Sequence, residues 1–249
     1  MKTAVLISGQ LRTFAKCYPT QKWQIFRHYE PNIHFFVSCC EDAQARSAEL
    51  LSADYENVSV ERYQDPTDLP VIPAEEGAFA PYANATTHAK LMLQHWGNKK
   101  VWDFFCASAD RESFDVIIRI RPDLWIHRFT RPDHYIIDLY HIDSPWPKTV
   151  LTPWWGKFGG VNDRLAIMGR LAAPIYFNMF DSIHSHLSLG CPFHPETLLA
   201  ETLSLNARAG KVIVRNTLLT EFSTERMDGS RRWAEIVTSD MVEFIAATR

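Results

Sequence analysis

Short apolar runs, separated by longer polar or amphipathic stretches, recur along the chain. Runs that are rich in β-branched and aromatic residues and bounded by turn-forming residues predict strands. Such runs lie at residues 3–7, 32–38, 57–63, 116–120 and 211–216. The run VIIRI, at 116–120, begins as a strand that is buried on both faces.

Amphipathic stretches between the runs predict helices. The clearest one begins at Pro195, carries an acid in its first turn and has Gly210 as its C-terminal cap. Residues 41–53 form a helix or a long loop, and the proline-rich stretch 65–83 is irregular chain. Other helices are predicted near 13–29, over 85–108, where Gly97 is expected to kink or divide the helix, and over 170–187, with Pro174 in the first turn.

The alternation of strands and helices predicts an α/β, Rossmann-like fold with a mostly parallel central sheet flanked by helices. The sequence has no internal repeat, low-complexity tract or interdomain linker, so we expect a single domain over residues 1–249. In such sheets, ligands bind outside the carboxyl ends of the strands. We therefore expect Ser8, Gly9, Ser38 and Asp123 at one edge of the molecule.

Composition and charge are those of an ordinary globular protein. Hydrophobic residues make up 46% of the chain, charged residues 22%, and the formal net charge is −3, so nothing indicates nucleic-acid binding. The five cysteines are odd in number and include no CxxC pair, which favours a reducing, cytoplasmic compartment. The sequence predicts neither a signal peptide nor a membrane span. We expect a soluble protein, and peripheral attachment to the inner face of a membrane is left open.

The strand VIIRI runs into charged residues that share one face. In the sequence RIRPD, the side chains of Arg119, Arg121 and Asp123 point the same way because alternate side chains of a strand do. Pro122 has no N–H group, so regular pairing stops there. One interpretation is an internal ion pair that tethers a loop. The other is phosphate binding, because two guanidiniums outnumber one carboxylate and their geometry matches phosphate oxygens.

A second candidate segment, LISGQLRTF, follows the first strand. Ser8 and Gly9 allow backbone N–H groups to approach a ligand, and Arg12 lies where a phosphate would bind. The segment is neither GxGxxG nor a Walker A loop, which disfavours nicotinamide-cofactor and kinase-like functions. The structural alternative is a tight strand-to-helix turn with a surface arginine.

Two later segments place acids beside turn-forming residues. GGVNDR carries Asn162 and Asp163 in a loop with exposed backbone, although an ordinary Asn-Asp turn has the same pattern. HPE places His194 and Glu196 at the start of a helix, where a glutamate also stabilises the helix dipole. Either segment can face a ligand.

Aromatic residues cluster between these segments, among prolines and glycines. Flat rings with a polar edge suit stacking on sugar faces, and they suit a hydrophobic core equally well. The cluster consists of Trp146, Trp154, Trp155 and Phe158.

Together, VLISGQLRTF, RIRPDLW, GGVNDRLAIMG and HPETLLAETL resemble glycosyltransferases of bacterial polysaccharide clusters, of the lipopolysaccharide and capsule type. The resemblance covers about residues 3–216. It implies a GT-A-like fold, with a nucleotide-binding part over about 1–126 and an acceptor and catalytic part over about 127–249. It also implies a nucleotide-diphosphate sugar as donor and a glycan or lipid-linked acceptor in polysaccharide biosynthesis.

Many members of this group carry an Asp-x-Asp motif that holds a divalent metal against the diphosphate. Here the matching place is Arg121-Pro122-Asp123, so arginine replaces the first acid. Asp123 alone can still bind Mn²⁺ or Mg²⁺ together with phosphate oxygens and waters. Alternatively, Arg119 and Arg121 supply the positive charge. We expect a weak or optional metal site.

The resemblance also gives roles to the other candidates. The reaction is displacement at the anomeric carbon, and cations stabilise the diphosphate leaving group. If it inverts configuration, Asp163 or Glu196 deprotonates the acceptor hydroxyl, and the sequence prefers neither. The expected donor-binding residues are Ser8, Gly9, Arg12, Arg119, Arg121 and Asp123. The expected acceptor or sugar contacts are Trp154, Trp155, Asn162 and His194.

Two other function classes stay open. A phosphoryl-handling α/β hydrolase would have acids at the end of the first strand, where this chain has Ser8, Gly9 and Gln10. A non-catalytic nucleotide- or sugar-binding module would use the same arginines and aromatic residues, and its acids would be dispensable. Charges gathered at one sheet edge argue against a purely structural scaffold.

Overall fold

The computed structural model describes residues 1–42, 44–72, 85–132 and 144–233. Much of the predicted irregular stretch 65–83 lies outside these residues. No helix within the described ranges is long and apolar enough to cross a membrane. All five cysteines are free thiols.

The described part of the chain forms two sheets. Seven strands form the main sheet, in the order β3-β2-β1-β4-β7-β6-β8, and three form the second, in the order β10-β9-β5. The strands are β1 Thr3–Gly9, β2 Ile33–Cys40, β3 Val58–Tyr63, β4 Val116–Ile120, β5 Leu124–Phe129, β6 Thr149–Pro153, β7 Leu165–Met168, β8 Ile213–Leu218, β9 Thr220–Glu225 and β10 Arg231–Trp233.

Most neighbours in the main sheet are parallel. Strands β3, β2, β1 and β4 run in the same direction, as do β6 and β8, whereas β7 is antiparallel to both β4 and β6. The predicted α/β fold, a mostly parallel sheet flanked by helices, is confirmed. The antiparallel direction of β7 was not predicted, and it determines where the candidate site lies.

The longest described helix is continuous through Gly97, where a kink or division was expected. The expected helix over 170–187 is instead three short pieces, and the helix expected near 13–29 ends at Gln24. The helices are α1 Phe14–Gln24, α2 Glu49–Asp54, α3 Ala85–Ser108, α4 Ala173–Phe177, α5 Ile183–Ser188 and α6 Pro195–Arg208. Short 3₁₀ helices lie at Phe26–Tyr29, Ala45–Ala48, Arg111–Ser113, Trp146–Lys148 and Asn178–Ser182.

Both faces of the main sheet are covered. In β1, Val5 and Ile7 belong to a hydrophobic cluster that includes Phe14 of α1. Ala4 and Leu6 belong to a second cluster, which includes much of the buried face of α3. Alternate side chains of one strand therefore enter two different cores, which explains why its sequence is a continuous apolar run.

The second sheet is antiparallel and continues the chain after RIRPD. Strand β5 pairs with β9, and Glu225 N donates a hydrogen bond to Asp123 O at 2.9 Å. The sequence TEFSTE of β9 is polar, so its hydrophobic signal was too weak to predict a strand. This sheet fixes the direction in which the chain leaves β4.

Candidate active site

The candidate site lies at the sheet edge where β1 and β4 end and β7 begins. Because β7 is antiparallel to β4, with Ile120 opposite Leu165, the residues before β7 lie beside those after β4. Arg121 N donates a hydrogen bond to Arg164 O at 3.1 Å. The antiparallel strand thus brings the NDR segment, with Asp163, to the carboxyl edge of the parallel strands.

Gly160 allows the start of α6 to approach this segment closely. Val161 N donates a hydrogen bond to Glu196 O at 3.0 Å. A Cβ atom on Gly160 would lie 2.0 Å from Glu196 O, a distance that no real side chain tolerates. Glycine at this position therefore allows the HPE segment to reach the NDR segment.

Arg164 lies between two buried acids. Its Nη2 atom lies 3.1 Å from Glu196 Oε1 and its Nη1 atom 4.0 Å from Asp163 Oδ1. The side chains of Asp163 and Glu196 are buried, and Arg164 Nη1 also donates to Gly156 O at 3.2 Å. The structure brings the two predicted acids together around an arginine that the sequence analysis did not select. Its place directly after Asp163 was the available signal.

The two acids have different electrostatic surroundings. Burial raises the pKa of Asp163, but Arg164 and Arg121 outweigh it and hold the pKa below its ordinary value. Burial, then the charge of Asp163, raises the pKa of Glu196 to about 8, against the opposing effect of Arg164. At neutral pH Asp163 is ionised and Glu196 carries a proton, a separation of states typical of acid–base sites.

His194 contacts the protonated acid. Its Nδ1 atom lies 3.1 Å from Glu196 Oε2, and both side chains are buried. Burial, opposed by the charge of Asp163, lowers the pKa of His194 to about 4. The imidazole is therefore neutral at neutral pH, and the contact joins a neutral ring to a carboxylic acid.

Helix α3 covers the other side of Asp163. Gln94 Nε2 donates a hydrogen bond to Asp163 Oδ2 at 2.6 Å, and Tyr176 Oη donates to Asp163 O at 3.4 Å. His95 lines a cavity of about 10 Å³ beside the acid, room for about one water. Among the described residues, neither ring nitrogen of His95 has a hydrogen-bond partner, and burial lowers its pKa to about 4. Neither Gln94 nor His95 was among the predicted site residues.

Arg121 and Asp123 form the ion pair that was one interpretation of RIRPD. Arg121 Nε and Nη2 donate to the two carboxylate oxygens of Asp123 at 2.9 and 2.7 Å. Burial opposes the charged guanidinium, but Asp123 outweighs it and raises the pKa of Arg121. The two side chains are 26% and 23% exposed, so both remain accessible to a ligand.

Arg119 is enclosed by protein groups. Its side chain is buried, Nη1 donates to Arg164 O at 2.7 Å, and Nη2 donates to Asn98 Oδ1 at 3.3 Å. Burial lowers the pKa of Arg119. A carboxylate therefore pairs with Arg121, whereas neutral protein oxygens bind Arg119. Phosphate contacts of Arg119 and Arg121 stay predictions, and the burial of Arg119 weighs against its contact.

The other predicted donor residues lie at the end of β1. Ser8 Oγ donates to Asn98 Oδ1 at 2.8 Å, so its hydroxyl orients an amide that also binds Arg119. Gly9 has a φ of 101°, which favours glycine, and Arg12 is exposed. A phosphate near this turn would meet the Arg12 side chain.

Three of the predicted acceptor contacts are used within the fold. Trp155 packs on Phe222 with ring centroids 4.4 Å apart, and Trp154 is half-buried against the same core. Asn162 Nδ2 donates to Trp155 O at 2.8 Å, while its Oδ1 accepts from Arg164 N at 2.9 Å. Their acceptor roles stay predictions, and the burial of Trp155 and Asn162 weighs against them.

Asp123 does not fit a metal ligand in this arrangement. Arg121 binds both of its carboxylate oxygens. No group of three or more His, Cys, Asp or Glu side chains in the described part of the chain is arranged to hold a metal ion. We therefore assign no step of the chemistry to Mn²⁺ or Mg²⁺.

Comparison with solved structures finds glycosyltransferases. The chain is similar to apo mouse xyloside xylosyltransferase 1, with 11% identity, a TM-score of 0.41, and 86% of this chain and 84% of that chain covered. It is also similar to an active-site mutant of LgtC, with 13% identity and a TM-score of 0.44, and to the galactosyltransferase LgtC with donor and acceptor sugar analogues, with 12% identity and a TM-score of 0.41. Both comparisons cover 85% of this chain and 72% of the other. No protein-family model and no curated protein matches the chain. At such identities and TM-scores the likeness identifies neither a reaction nor a substrate.

Proposed function

We propose that the protein is a glycosyltransferase that moves a sugar from a nucleotide-diphosphate sugar to a glycan or lipid-linked acceptor. One observation carries the proposal. Two buried acids, Asp163 and Glu196, lie around Arg164 at the carboxyl edge of the sheet. Their surroundings lower the pKa of Asp163 and raise that of Glu196, and the guanidinium of Arg121 at the same edge is partly exposed. A base next to a cationic contact for a phosphate is what sugar transfer from a diphosphate requires.

The chemistry follows from these positions. Asp163 takes the proton of the acceptor hydroxyl, the acceptor oxygen bonds to the anomeric carbon, and the bond from that carbon to phosphate breaks. The diphosphate leaves with the electron pair, and Arg121 and Arg12 stabilise its charge. Gln94 must move aside for the acceptor, since its Nε2 atom lies 2.6 Å from Asp163 Oδ2.

Compartment and pathway belong to the same proposal. The resemblance of the sequence motifs supports a role in surface polysaccharide synthesis, of the lipopolysaccharide or capsule type. The odd number of cysteines supports a cytoplasmic location, with peripheral attachment at the inner face of the membrane when the acceptor is lipid-linked.

The test is nucleotide binding followed by turnover. UDP, GDP, CMP and dTDP, and their sugars, are screened by thermal shift with and without Mn²⁺ or Mg²⁺. We expect one nucleotide to raise Tm, and we expect Arg121→Ala to weaken its binding about tenfold, as loss of a charge-assisted contact does. Arg62→Ala, at another partly exposed ion pair, is the control.

Hydrolysis or transfer of the matching donor then tests the acid. Asp163→Asn should retain nucleotide binding and lose turnover by a factor of about 100 or more. Binding with no turnover in the wild-type protein would favour the non-catalytic module, and the absence of any nucleotide shift would overturn the proposal. A nucleotide-induced rise in Tm that requires Mn²⁺ or Mg²⁺ would indicate that Asp123 is a metal ligand.

A further inference from the structure

Phe158 lies beside the candidate site, and its side chain is partly open to solvent. The side chain is 44% exposed. Its ring centroid lies 5.4 Å from Arg164 Cζ and 6.2 Å from the centroid of the His194 ring. The ring therefore packs against Arg164 and His194, at the outside of the group of buried ionisable residues that contains Asp163 and Glu196, and is partly open to solvent.

The backbone at Phe158 is unfavourable for a phenylalanine. Gly160 N donates a hydrogen bond to Lys157 O at 2.7 Å, which closes a tight turn. The two central residues, Phe158 and Gly159, have φ values of 43° and 81°. Positive φ at both positions is the pattern of a type I′ turn, in which asparagine, aspartate and glycine are the usual residues. No other described non-glycine residue has a positive φ.

Folding alone does not explain this residue. An asparagine at position 158 would adopt the same backbone at lower cost and would not expose an apolar ring. Phe158 strains the backbone, exposes an apolar ring to water and lies next to ionisable residues. This combination is typical of a residue retained for binding.

We propose that Phe158 is a stacking platform for the pyranose ring of the acceptor sugar. This inference rests on the proposed function and names where the acceptor binds. The C–H face of a pyranose packs on the open face of the phenyl ring, as apolar surface packs on aromatic rings generally. Trp155, the larger ring of the same segment, is unsuited because it is packed in the core.

Saturation-transfer NMR with methyl glycosides of glucose, galactose, mannose, rhamnose and N-acetylglucosamine tests the platform. We expect the wild-type protein to transfer saturation to the C–H protons of at least one glycoside. Phe158→Asn should bind that glycoside about tenfold more weakly, whereas Phe158→Tyr, which keeps the ring, should bind it as the wild type does. Leu171→Asn, at an equally exposed apolar residue (46%), is the matched control and should also bind as the wild type does.

Thermal unfolding of the same variants separates binding from folding. Phe158→Asn should keep a Tm close to that of the wild type, because relief of the left-handed backbone offsets the lost contact with Arg164. A lower Tm for this variant would show that the ring belongs to the fold and would contradict the assignment. So would unchanged glycoside binding in Phe158→Asn. If the wild type binds a nucleotide but no glycoside, the platform is wrong and the proposed function stands; if it binds neither, both are wrong.

Discussion

The guanidinium of Arg164 lies 3.1 Å from the carboxyl of Glu196, although the two residues belong to different segments of the chain. The same guanidinium lies 4.0 Å from Asp163. Asp163 is 5% exposed and Glu196 is 3% exposed, so water screens neither charge effectively. Two carboxylates in such surroundings would not both be ionised, and the raised pKa of Glu196, about 8, expresses this. Arg164 therefore lies against one ionised acid, Asp163, and one protonated acid, Glu196.

Replacing Arg164 tests this arrangement. Arg164→Met keeps an unbranched, largely aliphatic side chain and removes the charged guanidinium, which leaves Asp163 buried with fewer cationic neighbours. We expect the free energy of unfolding to fall by about 3–5 kcal/mol, the usual cost of removing one partner from a buried ion pair. Urea unfolding measures it. Wild-type stability in Arg164→Met would show that the arginine does not support the acids.

Two further variants sharpen the comparison. Arg111→Met removes an exposed guanidinium whose ion pair with Glu112 is open to water, so it should cost about 1 kcal/mol or less. Adding Asp163→Asn to Arg164→Met removes the buried carboxylate that lost one of its cationic neighbours in the first change. The double variant should be more stable than Arg164→Met alone, and a double variant that is less stable would contradict the pairing.

Glu196 should make stability depend on pH in an unusual direction. The folded protein keeps a proton on Glu196 up to about pH 8, whereas the unfolded chain releases it near 4.5. Between these values the folded state binds more protons, so the free energy of unfolding should fall as pH rises, by at most about 1.4 kcal/mol per pH unit. Glu196→Gln keeps the shape and cannot titrate, so the fall should disappear in that variant.

The range between pH 6.5 and 8 isolates this effect. Folding lowers the pKa values of His95 and His194 from 6.5 to about 4. These two residues therefore make the free energy of unfolding rise with pH only below about pH 6.5. The charged and titratable groups acting on Glu196 are Asp163, Arg164, Arg121 and His194. The pKa of Asp163 is lowered from its ordinary value, so Asp163 does not titrate in this range. Urea unfolding of both proteins at several pH values measures the slopes. Equal slopes from 6.5 to 8 would mean that Glu196 is ionised in the folded state.

The sequence was sufficient to predict β1 and β4 because these strands are buried on both faces. In β1 and β4 this burial makes the apolar run continuous, and the strands were identified. Strands β5 and β9 carry charged and polar side chains on partly exposed faces, so no run distinguishes them. The antiparallel direction of β7 has no local signal, because the direction of a strand depends on the connections around it.

The sequence indicated the two acids of the candidate site, Asp163 and Glu196. It did not indicate Arg164 or helix α3. NDR and HPE drew attention because an acid follows turn-forming residues in each. That the two segments meet depends on β7 and on the close approach at Gly160, which are tertiary features. The contact between Arg119 and Asn98 is also a tertiary feature, because Asn98 lies on a helix distant in sequence. Counting the charged residues of RIRPD could not reveal it.

Gly160 should be the residue through which the loop before β7 positions the start of α6. A Cβ atom there would lie 2.0 Å from Glu196 O and 2.7 Å from Thr197 N, both backbone atoms that cannot rotate away. Gly160→Ala should therefore displace the start of α6 and lower the free energy of unfolding by about 1–3 kcal/mol, as overpacking does. A displacement of about 1 Å at catalytic groups lowers turnover roughly 100-fold, so donor turnover should fall as well.

A second glycine provides the control for stability. A Cβ atom on Gly97, within α3, would lie no closer than 3.7 Å to its neighbours, which is ordinary contact. Gly97→Ala should raise the free energy of unfolding by about 0.5–1 kcal/mol, because alanine is favoured in a helix interior. Opposite signs for the two substitutions would show that the effect at 160 comes from contact with α6 and not from the added methyl group. Equal effects at 97 and 160 would contradict the close approach that joins the two acids.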